Sequence, residues 1–242
     1  MTALLMAIVG FAVGFALDEA IARLSREPYE RGELEEDDVR LKKDGGVSLE
    51  LHSETGALAM PRALTTGSAY RRAIVVAATT LLFAAVGWRY SDALDIAIVA
   101  AYVSVLIVCT GTDVLAYRVP NVITYPAIAA AIVIGTVMPD ANRADVMVGG
   151  ALTGGTFLIM SIATRGGMGM GDVKLAAFAG FALGLTFGVA ALLLTALAGG
   201  AIALLLLVTR VRDRRDPIPY APFIALGMVY VLLVQGTAFV EI

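Results

Sequence analysis

From Ala73 onward the chain is a series of apolar runs divided by short polar joints, and most of these runs approach the length of a bilayer crossing. A helix of about 20 apolar residues spans the hydrocarbon core, where water cannot satisfy the backbone. Eight spans are expected: Thr2–Leu17, Ala73–Trp88, Ala93–Thr112, Val122–Met138, Ala144–Ala163, two within Val173–Thr209, and Ala221–Val240. Val173–Thr209 is too long for one crossing, so a short turn near Gly184–Gly188 is expected to divide it. With 59% hydrophobic and 16% charged residues and a mean hydropathy of +0.82, the composition fits an all-α polytopic membrane helix bundle. The net charge of −3 carries little information beside the distribution of charge along the chain.

Basic residues set the expected orientation. Arg23, Arg26, Arg71, Arg72, Arg118, Arg165, Lys174, Arg210, Arg212, Arg214 and Arg215 fall in joints on one side, against Arg89 and Arg143 on the other. The richer side is expected to face the cytoplasm, with both termini outside. At the start, positive charge follows the apolar run instead of preceding it. Thr2–Leu17 therefore reads as a retained anchor and not as a cleaved signal peptide.

Against this interior, Gly169-Met170-Gly171-Asp172 stands out. A carboxylate next to lipid is costly and is usually kept for chemistry or transport. Gly167, Gly169 and Gly171 permit backbone bends and close approaches. Asp113, at the end of the third span, falls by parity on the same side as Asp172. Two carboxyls brought within a few ångströms cannot both ionise easily, so one holds a proton. The ionised partner can take a proton from water while the neutral one polarises a peptide carbonyl, as in aspartyl proteases. Structural alternatives stay open: Asp172 as a helix N-cap, and Asp113 as an interfacial partner of Arg118. Asp92, Asp95, Asp140 and Asp145 lie on the other side without the glycines and read as solvated ends. Cys109, inside an apolar run, reads as a small buried hydrophobe.

Three segments resemble the type IV prepilin peptidases. Asp113-Val114-Leu115-Ala116-Tyr117-Arg118-Val119-Pro120-Asn121 resembles their first aspartate motif, and Gly169-Met170-Gly171-Asp172-Val173-Lys174-Leu175-Ala176 their GxGD motif. Ile218-Pro219-Tyr220-Ala221-Pro222-Phe223-Ile224-Ala225-Leu226-Gly227 is similar to the opening of their last span. More faintly, Gly10 to Leu24 resembles their first span, with Asp18 where Asn is usual. The resemblance implies an anchor at residues 1–17, a cytoplasmic insert at 18–72 and a membrane-embedded peptidase domain at 73–242.

It implies Asp113 and Asp172 as the catalytic pair, with no cofactor needed for proteolysis. Gly169, Gly171, Lys174 and Arg118 are expected to meet the substrate, a prepilin or pseudopilin precursor cleaved after Gly at the cytoplasmic face of the plasma membrane. Lys174 and Arg118 have an equally simple reading as snorkelling interfacial cations. Many bacterial members carry zinc-binding Cys-x-x-Cys pairs in the insert, tied to N-methylation of the product. This insert has no cysteine and a single histidine, His52, so no metal is expected and S-adenosylmethionine only if methylation is retained. The acidic run Glu33–Asp38 reads as a solvated stretch, and nothing suggests a nucleic-acid partner. Two other classes use membrane acids. A proton-coupled transporter places them near the midplane. A presenilin-like protease carries Tyr-Asp and Pro-Ala-Leu motifs, which this chain lacks.

Overall fold

Asp92 begins the helix that carries the first acid: its side chain accepts from Leu94 N at 2.9 Å, and the helix then runs Ala93–Ala116. Such a cap satisfies one of the backbone donors that a helix start leaves free. In the computed structural model, residues 1–30, 68–139, 141–163, 168–209, 219–237 and 240–241 are described. The helices are α1 (Thr2–Glu30), α2 (Ser68–Arg89), α3 (Ala93–Ala116), α4 (Asn121–Val137), α5 (Arg143–Ala163), α6 (Met170–Val208) and α7 (Ala221–Val234). Two short antiparallel strands, Gly236–Thr237 and Val240–Glu241, follow, so the last helix ends earlier than expected. Among the described residues, five helices are long and apolar enough to cross a membrane; α4 and α7 are shorter apolar helices.

The long helix α6 is two limbs. Gly184 takes φ 76° and ψ −175°, a backbone region that is essentially glycine's alone. In a straight helix, residues 180 and 188 would stand about 12 Å apart. Here a Cβ added to Gly188 would lie 3.3 Å from the Cα of Gly180, so the second limb turns back along the first. Counting the limbs separately gives the eight helical segments expected from the apolar runs. Asp145, expected as a solvated end, instead accepts from Leu185 N at 3.0 Å and caps the second limb at the break.

Glycine allows this density. Added Cβ atoms would lie 2.4 Å from the carbonyl carbon of Gly184 at Gly149, and 2.0 Å from Thr153 Oγ1 at Gly180. Thr153 Oγ1 also donates to the carbonyl of Ala176 at 3.0 Å, tying α5 to the first limb of α6. The buried core gathers Val99, Val103 and Leu106 of α3 around Leu175, Phe178 and Leu183 of α6 and Met228 and Leu232 of α7. Cys109 is fully buried, in keeping with its reading as a small hydrophobe.

The first helix does not stop at Leu17. It continues past Asp18 to Glu30 because that acid is neutralised: Asp18, fully buried, meets Arg71 Nε at 2.7 Å and Arg72 Nε at 3.1 Å. This pairing joins the second half of α1 to the first turns of α2. At the opposite ends of the two helices, Thr2 donates to the carbonyl of Gly87 and Arg89 to that of Leu233. The alternation of ends along the chain thus follows the parity of the apolar runs. The acidic run Glu33–Asp38, His52, Gly167, Arg165, the arginines between 210 and 215, Ile218 and Asp140 lie outside the described residues.

Candidate active site

Three helix ends converge on two buried carboxylates. Asp113 lies in the last turn of α3, and Asp172 in the first turn of α6. They are 6% and 8% exposed, against a surface that is otherwise rich in exposed apolar side chains. Asp172 is the third residue of its helix and not the N-cap, and its backbone N–H donates to the carbonyl of Gly169 at 3.1 Å. A carboxylate in a first helical turn is favoured by the helix dipole.

The end of α3 is shaped by Tyr117, which adopts the left-handed conformation (φ 51°, ψ 36°) while its N–H donates to the carbonyl of Asp113 at 2.8 Å. Pro120 then starts α4 from an extended conformation. Tyr117 to Pro120 form the short connection that swings the chain away, and Val119 in it rests on Gly171. A Cβ at Gly171 would fall 2.7 Å from Val119 Cβ, so the missing side chain is what lets the two aspartate-bearing segments touch. Gly171, expected to leave the backbone open to substrate, meets Val119 with its bare face. Gly169 differs, since a Cβ there would meet only Asp172 Oδ2 at an ordinary 3.5 Å.

The third helix end comes from α7. Ala221, its first residue, donates its backbone N–H to Asp113 Oδ2 at 3.0 Å. Asp113 thus takes the place of a capping side chain for a helix 108 residues away in sequence. Asp172 is near enough for the charge of Asp113 to act on it, while its Oδ1 is buried with no hydrogen-bond partner among the described residues. One carboxylate is held by a helix end and the other presents an unoccupied oxygen. That arrangement can bind and orient a water or a peptide carbonyl between them.

The remaining expected site residues lie close by. Lys174 Nζ donates to Asn121 Oδ1 at 2.7 Å and sits 4.6 Å from the centroid of the Tyr125 ring, so at rest it joins the start of α6 to the start of α4. Arg118 follows Tyr117 in the same connection and has interactions of its own. Met168 packs on the core, and Met170 is exposed. Among the described residues no group of His, Cys, Asp and Glu side chains could hold a metal ion. Sequence reasoning gave no role to the N–H of Ala221, because a backbone donor leaves no mark in residue identity. The segment Ile218–Gly227, which contains Ala221, is the signal that could have found it.

Fold and site together define a polytopic helical membrane protein with an aspartate pair buried at one end of the bundle. Residues 100–204, a segment that contains both aspartates, are similar to the type IV leader peptidase family. A protein of Bacillus subtilis (strain 168), the "Prepilin leader peptidase/N-methyltransferase", is 34% identical over 159 residues. The match covers 64% of this chain and 62% of that relative, so the chain spans less than two thirds of it. No solved structure matches the chain.

Proposed function

We propose that this chain is a membrane aspartyl endopeptidase that removes the short basic leader from type IV prepilin or pseudopilin precursors, cutting after Gly at the cytoplasmic membrane face. The observation that carries the reading is the meeting of Asp113 and Asp172, from helices far apart in sequence, at one end of the bundle. Their segment is also the one that matches the leader peptidase family.

In this reaction one carboxylate takes a proton from a water, whose oxygen attacks the carbonyl carbon of the scissile Gly. The protonated partner donates to the carbonyl oxygen. Collapse of the tetrahedral species breaks the C–N bond, and the leaving nitrogen receives a proton from the dyad. Gly169 leaves room beside Asp172 for the extended substrate backbone. Arg118 and Lys174 are the cations of this reading that meet acidic substrate groups, Lys174 exchanging its Asn121 partner on binding. Proteolysis in this scheme uses no cofactor, while methylation of the new N-terminus would use S-adenosylmethionine.

The test is a cleavage assay in membranes with a precursor bearing a basic leader and a Gly at the cut, read by mass spectrometry. The parent cleaves after Gly, and Asp113→Asn and Asp172→Asn, each verified as folded, do not. Cleavage at the parental rate by either variant would falsify the assignment. A mass gain of one methyl group on adding S-adenosylmethionine marks a second activity.

A further inference from the structure

The α1–α2 pair carries an open groove of about 740 Å³ that the chemistry above leaves unused. Phe11 and Phe15 of α1 line one side, with their rings edge-on at 5.3 Å between centroids. The other side is α2, where Ala69, Ala73 and Ala77 recur at every fourth position and so share one face. All five side chains are exposed. Between the helices, a Cβ added to Gly14 would lie 2.8 Å from the Cα of Val76, so the backbones close up beneath the groove.

One end of the groove differs in kind. Arg72 lines it, and that side chain is half exposed. Its ion pair with buried Asp18 uses Nε alone, at 3.1 Å. Arg71 holds the same carboxylate through Nε at 2.7 Å and Nη2 at 3.3 Å. Two guanidiniums share one carboxylate, so the cluster keeps a net positive charge. The remaining donors of Arg72 are not taken up by Asp18.

The dimensions fit one leaflet. Arg72 and Leu81, which lines the far end, are nine residues apart on one helix, or about 14 Å along its axis. That is close to half of the roughly 30 Å hydrocarbon core. An occupant matched to this site is apolar for the depth of one leaflet and negative at its head. A second copy of the chain is a poorer match, since it would bring its own positive cluster to the same depth.

We propose that the α1–α2 groove binds an anionic phospholipid, with one acyl chain against Phe11, Phe15 and the alanine face and the phosphate on Arg72. The distribution of basic residues is expected to set this end in the cytoplasmic leaflet, where anionic lipids concentrate. The site is built without any residue of the aspartate pair, so it does not depend on the reaction proposed above.

The experiment uses the purified full chain, delipidated in detergent, with native mass spectrometry to follow lipid binding. The probes are phosphatidylglycerol and phosphatidylcholine with identical acyl chains. The parent prefers phosphatidylglycerol by about fivefold, as one cation near the headgroup supplies. Its thermal midpoint rises with that lipid, which ties binding to the folded protein. Arg72→Gln, in which Arg71 still holds Asp18, binds the two lipids alike. Ala77→Phe, which fills the groove and leaves both ion pairs in place, weakens binding of both lipids. That variant and the comparison of lipids on the parent stand independently of how well Arg72→Gln folds.

Equal affinity of the parent for the two lipids overturns the proposal, as does a preference that neither substitution changes. Glycerophosphate that displaces the lipid at equal concentration points to a headgroup site that makes no use of the groove, and also overturns it. Parent dimers that Ala77→Phe separates, with no lipid bound, give the groove to a second copy and overturn it.

Discussion

Gly171 and Val119 stand so close that a methyl group on the glycine would lie 2.7 Å from the valine Cβ. The contact joins the connection that follows Asp113 to the helical turn that holds Asp172. Gly171→Ala forces this contact apart, at an overpacking cost of about 1–3 kcal/mol. Cleavage is expected to fall more steeply than thermal stability, since separation of the segments acts directly on the carboxylate pair. Adding Val119→Gly, which removes the Cβ itself, makes room for the new methyl and restores much of the activity. A double variant no better than Gly171→Ala alone would count against the contact as the cause.

The buried acid of α1 gives a prediction about stability alone. Removing both Arg71 and Arg72 by alanine substitution strips buried Asp18 of the two cations that it meets among the described residues. Loss of the partners of a buried charge costs about 3–5 kcal/mol. Arg72→Ala by itself removes a half-exposed side chain and is expected to cost about 1 kcal/mol or less. Unfolding in mixed micelles with increasing denaturing detergent measures both, and equal midpoints for the double variant and the parent would contradict the pairing.

Lys174 and Asn121 are suited to a double-mutant cycle. If the 2.7 Å bond between them steadies the start of α6 against α4, Lys174→Met and Asn121→Leu disturb one interaction, and their effects on kcat/KM do not add. A coupling of about 0.5 kcal/mol or more is expected from the resting contact. Strict additivity, with the whole effect of Lys174→Met in KM, would instead mark the lysine as a substrate contact alone.

The turn between the limbs of α6 rests on Gly184 and Asp145. Gly184→Ala puts a side chain at φ 76° with an extended ψ, at a cost of about 1–3 kcal/mol. Asp145→Ala removes the acceptor of the Leu185 N–H and costs about 1 kcal/mol, as for a lost helix cap. Both are expected to lower the thermal midpoint of the purified protein. A Gly184→Ala variant as stable as the parent would mean that the limbs are not joined through this conformation.

Much of this was legible because the bilayer is a demanding solvent. The apolar runs predict α2 through α6 within a few residues, and the over-long run at Val173–Thr209 predicts a break where Gly184 takes its glycine-only conformation. Asp145 and Asp18 were harder to read. Each stands near a span end and looks solvated by position, yet Asp145 caps a helix 40 residues on and Asp18 is enclosed by arginines 53 and 54 residues away. Residue identity records the charge, but the partner is set by which helices lie side by side.

The same division holds at the site. The sequence alone determined that two acids end up on one side of the bundle, since parity follows from counting runs that must each cross. It also marked Gly169, Gly171 and the segment around Tyr220 as unusual. Only the tertiary structure decided that α3, α6 and α7 bring their ends together, that Gly171 yields to Val119, and that the N–H of Ala221 turns to Asp113. Span counting fixes the depth and side of a residue. Its neighbours across helices depend on packing, through small residues and single backbone donors that carry no periodic signal.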